Sequence, residues 1–206
     1  MVARAIGARL ADVAPLRALS SRAMTPDVHA LAAAVERGER FEYRLFWKAT
    51  ASPDGRPTDA RFSRWWAGDF VVDGVTYASA EHWMMASKAR LFGDGEVLAE
   101  ILAARDPAVV KALGRKVRGF DEDTWERRRL DLVTEGNVAK FAQDAAQRAH
   151  LLGTGDAVLV EASPLDRVWG IGLASDHPDA GDPRRWRGLN LLGFALMRAR
   201  ARLAAP

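Results

Sequence analysis

A short stretch near residue 80, "YASAEHWMMASKARLFGD", places titratable side chains inside a run of large apolar ones. In a helix, Glu81, Met84, Met85 and Lys88 share one face, because they follow the i, i+3, i+4, i+7 spacing. A carboxylate therefore lies two turns from an ammonium group, with methionines between them. This placement raises the hypothesis that Glu81 takes part in proton transfer.

The same residues also have an ordinary interpretation. A Glu in a first turn is favoured by the helix dipole, and His82 fits as a satisfied, partly buried histidine. The aromatic residues around this stretch favour the functional interpretation, since a carboxylate desolvated among rings has a raised pKa and suits a general acid or base. Trp rings also bind flat ligands as well as fill cores. These aromatic residues are Phe62, Trp65, Trp66, Phe70, Tyr77 and Trp83.

A second group of candidates lies in "LVEASPLDRVWGIG". A predicted strand ends at Glu161, and the following loop presents Asp166 just before Trp169 and Gly170. Catalytic residues are often carried by loops that follow a rigid element, although a turn-forming Asp and a packing Trp explain the pattern equally well. In "WRGLNLLG", Asn190 is polar within an apolar stretch, and it either caps the last helix or binds a ligand hydroxyl.

Local signals place these candidates on predicted elements. Ser79 is predicted to cap a helix over about 80–92 that ends at Gly93. Before it, "FVVDGVTYAS" has the pattern of a hairpin with an Asp-Gly turn. Further elements are predicted as a strand over 41–48, helices in "GEVLAEILAAR" and over 107–114, one long helix or two in "FDEDTWERRRLDLVTEGNVAKFAQDAAQRAHLLGTG", a strand in "AVLVEAS" and a closing helix in "LNLLGFALMRARARL". The order lacks a βαβ alternation, so it predicts an α+β, mainly helical single domain with a small β-sheet.

The first part of the chain is predicted to be a separate helical extension. Residues 1–40 form this N-terminal extension, and residues 41–206 form the main domain. Within the extension, residues 1–24 are rich in Ala, Arg and Leu and allow a short amphipathic helix before Pro15. Their composition also fits an organelle transit peptide.

The end of this extension carries clear helix signals in "TPDVHALAAAVERGER". Thr25 is predicted to cap a helix, and Pro26 to be its first residue. Asp27 suits the positive end of the helix, and Gly38 is predicted to end it.

Composition bounds the class of protein. The chain has 206 residues, of which 49% are hydrophobic, and this is enough for one compact domain with a core. The absence of Cys excludes disulfides, thiolate metal sites and a Cys nucleophile. No apolar run approaches the ~18 residues of a membrane span, so we expect no membrane partner. No charged segment followed by an apolar one resembles a secretory signal, so we expect a cytoplasmic protein.

The basic residues are mostly arginine. Five of the 30 basic residues are Lys, which leaves 25 Arg, and the net charge is +3. Guanidinium groups bind phosphate in bidentate fashion, so the excess of Arg suits anionic ligands, while solvated surface Arg is the ordinary interpretation. A net charge of +3 is too small to indicate nucleic-acid binding by itself.

Several familiar motifs are absent. The Gly pairs 153/155 and 170/172 lack the third glycine and the strand–helix setting of a dinucleotide fingerprint. The chain has no Walker loop and no G-x-S-x-G sequence. The four histidines, at positions 29, 82, 150 and 177, show no metal-ligand spacing, so we expect no metal site.

Four segments together resemble the YbiA-like or NADAR family. They are "FSRWWAGDFVVDGVTYASAEHWMMASKARLFGD", "LGRKVRGFDEDTWERRRLDLVTEGNVAKF", "LLGTGDAVLVEASPLDRVWGIGL" and "WRGLNLLGFALMRAR". The resemblance covers about residues 41–202 with the segments in order, and it leaves the first forty residues outside. It implies an N-glycosidase of YbiA-like fold that cleaves a ribose C1′–N bond without a metal or organic cofactor.

The resemblance also implies roles for individual residues. Glu81 matches an essential acid residue, and Asp166 matches a second essential carboxylate. Lys88 matches the Lys of the same helix motif, and Trp125 matches a substrate-contacting Trp. Arg115 is implied as a ligand of the substrate phosphate. We include Lys88 with the two carboxylates in the catalytic set.

A wider set of residues is expected to contact the substrate, and some of them depart from the family pattern. Many members have Phe-Ser-Asn-Phe where this chain has Phe62-Ser63-Arg64-Trp65, so Arg64 is expected to change which group is bound near the site. Many members also carry Gln where this chain has Met84, and some carry an acid in place of Ile171. The expected substrate-binding residues are Arg64, Trp65, His82, Arg115, Trp125, Trp169, Gly170 and Asn190.

Three functions follow from the resemblance. The first is hydrolysis of a phosphorylated ribosyl small molecule, such as an early riboflavin-pathway intermediate, with release of ribose 5-phosphate. The second is removal of ADP-ribose from guanine in DNA, which reverses a toxin's modification. The third is a non-catalytic module that binds ADP-ribose or a nucleotide, which the presence of both carboxylates disfavours. The roles of Glu81 and Asp166 remain interchangeable at this stage.

Overall fold

A computed structural model describes residues 27–50 and 58–205 of the chain. The helix predicted before Pro15 lies outside these residues, as do Thr25 and Pro26. The α-helices in the described part are α1 (Val28–Glu36), α2 (Ala80–Leu91), α3 (Gly95–Ala103), α4 (Pro107–Gly114), α5 (Glu122–Gln143), α6 (Ala145–Leu152) and α7 (Leu191–Ala204). The strands are β1 (Tyr43–Phe46), β2 (Phe70–Val72), β3 (Val75–Tyr77) and β4 (Val158–Glu161), and short 3-10 helices span Asp59–Phe62 and Pro183–Arg185. The α+β, mainly helical prediction is confirmed.

The start of α1 differs from the prediction. Asp27, not Thr25, caps this helix, because its side chain accepts a hydrogen bond from the Ala30 backbone N–H and the first helical residue is Val28. An Asp is as good a cap as a Thr, so two neighbouring caps compete in the sequence. The helix packs against the 3-10 helix Pro183–Arg185, and Leu31 belongs to the core. The boundary near residue 40 stays a prediction.

The small β-structure consists, in the described residues, of two separate two-stranded sheets. β1 and β4 pair in parallel, with Tyr43 opposite Val158 and Phe46 opposite Glu161. A parallel pair needs a crossover between its strands, and here the crossover includes helices α2 to α6. All four residues of β4 are buried, which explains why "VLV" carries no polar alternation.

The hairpin is confirmed at the predicted turn. β2 and β3 pair antiparallel, with Val72 opposite Val75. Between them Asp73 and Gly74 both have positive φ, 51° and 77°, as a two-residue type I′ turn requires. This hairpin leads directly into the cap of α2, so it sets where that helix begins.

Helix α2 begins and ends close to the predicted residues. The Ser79 side chain accepts a hydrogen bond from the His82 backbone N–H, and the last turn closes at Phe92 and Gly93. Most of the helix is buried, including Glu81 and the two methionines of its functional face. The helix packs against α3, α4 and α5, which hold it on several sides.

The segment after residue 121 forms two helices, which settles the alternative left by the pattern. Asp144 separates α5 from α6 in an extended conformation, and its side chain caps α6 by accepting from the Gln147 N–H. Asp144 and the buried Gln147 are only three residues apart, so the hydrogen bonds between them fix the start of α6 locally. The long α5 packs against α7, and α7 packs against β4.

Close contact between α7 and β4 depends on one glycine. A Cβ atom on Gly193 would lie 2.0 Å from the Leu159 carbonyl oxygen. Backbone cannot move aside as a flexible side chain can, so only glycine allows this approach. The contact places Asn190, at the start of α7, beside β4.

Candidate active site

Arg64 joins the two carboxylates that the sequence singled out. Its Nη2 lies 2.9 Å from Asp166 Oδ2, and its Nη1 lies 3.5 Å from Glu81 Oε2. Burial opposes the charge of this guanidinium, but Glu81, Glu161 and Asp166 raise its pKa above the ordinary value. One buried cation therefore holds together carboxylates from two distant parts of the chain.

Asp166 is held as an ionised group. Its Oδ1 accepts hydrogen bonds from the backbone N–H groups of Val168 and Trp169, at 2.9 and 2.8 Å. Burial favours its neutral form, but the Arg64 charge and these two N–H groups together lower its pKa. Asp166 therefore forms the turn that the ordinary interpretation predicts, and it also carries a negative charge. Its side chain is 22% exposed, so it is the accessible carboxylate of the pair.

Glu81 lies deeper. Its residue is fully buried, and neither carboxylate oxygen has a hydrogen-bond partner within the described part of the chain. Its backbone N–H donates to the Arg64 carbonyl oxygen at 3.0 Å, so the two residues are tied through main chain as well as charge. The Arg64 Nη1 also contacts Met84 Sδ at 3.8 Å. A carboxylate with unused acceptor sites can take a proton from a bound water.

A third carboxyl group, Glu161, belongs to the same cluster and was not among the predicted site residues. It is buried at the end of β4, and its Oε2 has no hydrogen-bond partner in residues 27–50 and 58–205. Burial raises its pKa to about 7, with Asp166 and Glu81 adding to the effect and Arg64 and Lys111 opposing it. The available signal was a carboxylate at the end of a continuous apolar strand, where a polar residue needs a reason.

Asn190 holds this third carboxyl group in place. Its side-chain oxygen accepts from the Glu161 backbone N–H at 3.0 Å, and its amide nitrogen donates to the Leu159 carbonyl oxygen at 2.9 Å. The residue is fully buried, and its φ of 53° lies in the left-handed region, which Asn tolerates well. Its side chain makes no capping bond to α7. Asn190 therefore engages β4 with its amide.

Trp169 and Gly170 form the wall behind Arg64. The Arg64 guanidinium lies 5.0 Å from the centre of the Trp169 ring, in cation–π geometry. A Cβ atom on Gly170 would lie 2.8 Å from the Glu161 carbonyl oxygen, so this loop passes close to the end of β4. The Gly170 carbonyl oxygen in turn accepts from the Asn190 backbone N–H. The loop after β4 is thus fixed on both sides.

Trp65 and Lys111 lie at the edge of the cluster. Trp65 is 39% exposed, and Lys111 Nζ lies 5.7 Å from the centre of its ring. Lys111 is near enough to lower the pKa of both Glu161 and Asp166. Sequence reasoning missed Lys111, because its position on α4 becomes relevant only when α4 packs beside α2.

Lys88 lies in a second cluster, away from Glu81. Its Nζ donates to the Gly114 carbonyl oxygen at 3.0 Å and lies 4.0 Å from the centre of the Phe120 ring and 5.9 Å from that of Trp125. Burial lowers its pKa, and Glu122 opposes this effect. We call this group the lysine–tryptophan cluster. Arg115 follows Gly114 directly and is exposed beside it.

The two clusters are joined by helices α2 and α4. Glu81 and Lys88 are on the same face of α2, seven residues and about 10 Å apart along the axis. Helix α4 packs alongside α2 and presents Lys111 near the carboxylates and Gly114 near Lys88. Glu81 and Lys88 therefore share one face of α2, as predicted. Met84 and Met85 lie between them on this face and are buried.

His82 lies on a different side of α2. Its Nδ1 accepts from the Ala78 backbone N–H at 3.0 Å, and its ring packs edge-on against Tyr77. Burial lowers its pKa, so it is a neutral imidazole at neutral pH. The residue is buried, and its Nε2 has no hydrogen-bond partner among the described residues, so it is less well satisfied than the ordinary interpretation expects. None of its contacts involves Arg64 or its carboxylates.

Other features of the described residues lie outside the cluster. Within residues 27–50 and 58–205, no group of three or more His, Asp or Glu is arranged to hold a metal ion. No helix in this part of the chain is long and apolar enough to cross a bilayer. Two clefts of about 510 and 310 Å³ are lined by other residues, among them Trp83 and Arg90 in the first and His29 and Trp186 in the second.

Comparison with known proteins agrees with this fold. The chain is 42% identical over 144 residues to "N-glycosidase R617" of Acanthamoeba polyphaga mimivirus, covering 68% of this chain and 85% of that protein. It is 34% identical over 143 residues to "N-glycosidase YbiA" of Escherichia coli (strain K12), covering 69% and 81%. The NMR structure of E. coli YbiA superposes with a TM-score of 0.58 at 30% identity, over 80% of this chain and 88% of that one. Since the NADAR domain model matches residues 45–204, the chain belongs to the NADAR family.

Proposed function

We propose that this chain is an N-glycosidase that hydrolyses the C1′–N bond of a phosphorylated ribosyl small molecule, of the riboflavin-intermediate type, and releases ribose 5-phosphate. The family membership and the printed names of the relatives support hydrolysis of an N-glycosyl bond. The observation that carries the proposal is the buried Arg64, which holds Glu81 and Asp166 at one place.

The carboxylates suit the charge that this reaction develops. Breaking a ribose C1′–N bond passes through an oxocarbenium-like state with positive charge at C1′ and O4′. An ionised carboxylate fixed in a water-poor site stabilises that charge without reorganising. Asp166 meets this description, because three hydrogen bonds hold it ionised and its side chain is partly exposed towards a ligand.

Glu81 suits the proton transfer that completes the hydrolysis. Its two oxygens have no hydrogen-bond partner among the residues that the structure describes, so one of them can accept a proton from the water that attacks C1′. Its backbone bond to Arg64 and the packing of α2 fix its position. We therefore assign water activation to Glu81, and contact with the ribose hydroxyls and the ribosyl cation to Asp166.

The lysine–tryptophan cluster suits the phosphate. Lys88 spends one of its N–H donors on the Gly114 carbonyl oxygen, which leaves others for an anion. Arg115 lies next in the chain and is exposed, so it can approach the same anion. Phe120 and Trp125 flank Lys88, and a lysine between two rings suits a compact phosphate. The exposed ring of Trp65 offers a surface for the leaving base.

A product assay tests this proposal. Purified protein is incubated with a phosphorylated aminopyrimidine riboside and, separately, with DNA that carries ADP-ribosylated guanine, and the sugar products are quantified. Glu81→Gln is the matched control, because it keeps the shape of the side chain and removes its charge. We expect ribose 5-phosphate from the first substrate with the native chain, and a rate lower by about 10²–10⁴ with the variant.

Each other outcome selects a different function. Release of ADP-ribose from the DNA alone would make the chain a guanine ADP-ribosyl glycohydrolase. Binding of ADP-ribose without cleavage of either substrate would make it a non-catalytic module. Native-like rates in Glu81→Gln would overturn the assignment of Glu81.

A further inference from the structure

Glu161 lies in the carboxylate cluster without a role in the mechanism above. It is 7% exposed, and no described residue forms a hydrogen bond with its Oε2. A buried carboxyl group left unpaired costs free energy, so its retention at this place calls for a physical reason.

The backbone around Glu161 is built to hold it. The side-chain oxygen of Asn190 accepts a hydrogen bond from the Glu161 backbone N–H. The Glu161 carbonyl oxygen accepts hydrogen bonds from the backbone N–H groups of Ile171 and Ser163. These bonds fix the end of β4 and leave the carboxyl group itself without a constraint. The side chain is thus positioned by its backbone, while its buried Oε2 makes no hydrogen bond to any described residue.

The charges that face Glu161 favour its protonated form. Three carboxyl groups, Glu81, Glu161 and Asp166, surround the single guanidinium of Arg64, and Lys111 is the other cation near them. Asp166 is committed as an anion by its three hydrogen bonds. When carboxylates share a site, one of them takes up a proton. Burial and its two carboxylate neighbours make Glu161 that group, with a pKa raised to about 7.

We propose that Glu161 is the general acid of the reaction, the group that donates a proton to the nitrogen of the leaving base. This inference rests on the proposed function and assigns a third catalytic residue to it. The C1′–N bond breaks, its electron pair goes to the nitrogen, and the Glu161 proton is transferred to that base. Water then forms the C1′–O bond and gives a proton to Glu81, after which exchange with solvent restores both groups.

The test compares two leaving groups. The first substrate is the phosphorylated aminopyrimidine riboside, whose base needs a proton to leave. The second is 4-nitrophenyl ribofuranoside 5-phosphate, whose phenolate leaves without one. In Glu161→Gln we expect the rate on the first substrate to fall by about 10²–10⁴, and the rate on the second to fall by less than about tenfold.

Asp166→Asn is the matched control. Asp166 acts on the ribosyl cation, which both substrates form, so this variant is expected to lose comparable rates on both. Equal losses in Glu161→Gln on both substrates, or no loss on either, would overturn the general-acid role while leaving the proposed function intact. If the native chain cleaves neither substrate, the proposed function fails and this role fails with it.

The native protein supplies a second readout that needs no variant. The rate on the aminopyrimidine riboside should fall as pH rises through the neutral range, because Glu161 then loses its proton. The rate on the nitrophenyl substrate should lack this alkaline decline. An alkaline decline of equal size on both substrates would overturn the proposal even if Glu161→Gln does not fold.

Discussion

Arg64 Nη2 lies 2.9 Å from Asp166 Oδ2, although 102 positions separate the two residues in the chain. The same guanidinium reaches Glu81 and lies over the Trp169 ring. This pairing brings the loop after β4 to the start of α2. It makes Arg64 a structural link between the two candidate carboxylates.

Replacing Arg64 by Met is expected to leave buried carboxylates without their cation. We expect the free energy of unfolding at pH 7 to fall by about 3 kcal/mol and hydrolysis to be lost. The paired Asp166 has a lowered pKa in the folded chain, so its contribution is present above the ordinary Asp range and is lost as pH falls through the folded pKa. The difference in free energy of unfolding between the native chain and Arg64→Met, measured by chemical denaturation, should therefore shrink below about pH 4.

Arg105→Met is the control for this experiment. Arg105 also pairs with a carboxylate, Asp69, but both side chains are largely exposed. An exposed pair of this kind contributes about 1 kcal/mol or less. A loss in Arg64→Met as small as that in Arg105→Met would contradict the central role of Arg64.

Asn190 is expected to stabilise the end of β4 through its amide and its backbone conformation. Asn190→Gly removes the two hydrogen bonds to Glu161 and Leu159 but keeps the left-handed φ accessible, and we expect a loss of about 2 kcal/mol. Asn190→Ala adds the cost of that φ, about 1 kcal/mol more. Thermal and urea unfolding measure both values. If Asn190→Ala and Asn190→Gly lower the free energy of unfolding equally, the left-handed φ contributes nothing to the stability difference.

Gly193 is expected to tolerate no side chain. A methyl group there would press against the Leu159 carbonyl oxygen and force α7 away from β4. We expect Gly193→Ala to lower the free energy of unfolding by about 2–3 kcal/mol, within the range for overpacking. Gly95→Ala is the control, since it lies in α3 with no atom within 4 Å of the added carbon. That variant should be unchanged or slightly more stable.

Lys140 gives the stability an unusual pH dependence. It is 2% exposed on α5, and its Nζ donates to the Arg61 carbonyl oxygen at 3.5 Å. Burial lowers its pKa to about 7, with Asp144 opposing. An unfolded Lys titrates near 10.4, so between about pH 7 and 10 the unfolded chain binds more protons than the folded one. The contribution of Lys140 to the free energy of unfolding therefore rises with pH across this window.

Lys140→Met should remove that rise. We expect the variant to be more stable than the native chain by about 2–4 kcal/mol at pH 6–7, with the gap closing towards pH 10. Urea unfolding at several pH values measures this. Lys116→Met, at an exposed position, serves as the control and should keep the native slope. Parallel curves for Lys140→Met and the native chain would show that this ammonium is not desolvated.

The sequence by itself determined the local elements, because short-range bonds decide them. Ser79 and Asp106 cap helices through bonds to residues within one turn, and Asp73-Gly74 forms the turn that its φ angles require. It also identified Glu81 and Asp166 as chemical candidates, since charged residues in apolar surroundings are conspicuous. Where two local signals competed, as at Asp27, the boundary shifted by a few residues.

Only the tertiary structure decided which of these groups meet. Arg64 reaches Asp166 because the loop before β2 and the loop after β4 pack together, and no local pattern contains that distance. Lys88 shares a face with Glu81 but is drawn to the Gly114 carbonyl oxygen, because α4 packs beside it. The raised pKa of Glu161 depends on burial and on four charged groups, which α2, α4 and two loops carry. Long-range packing and desolvation, which act between elements, set these properties of the site.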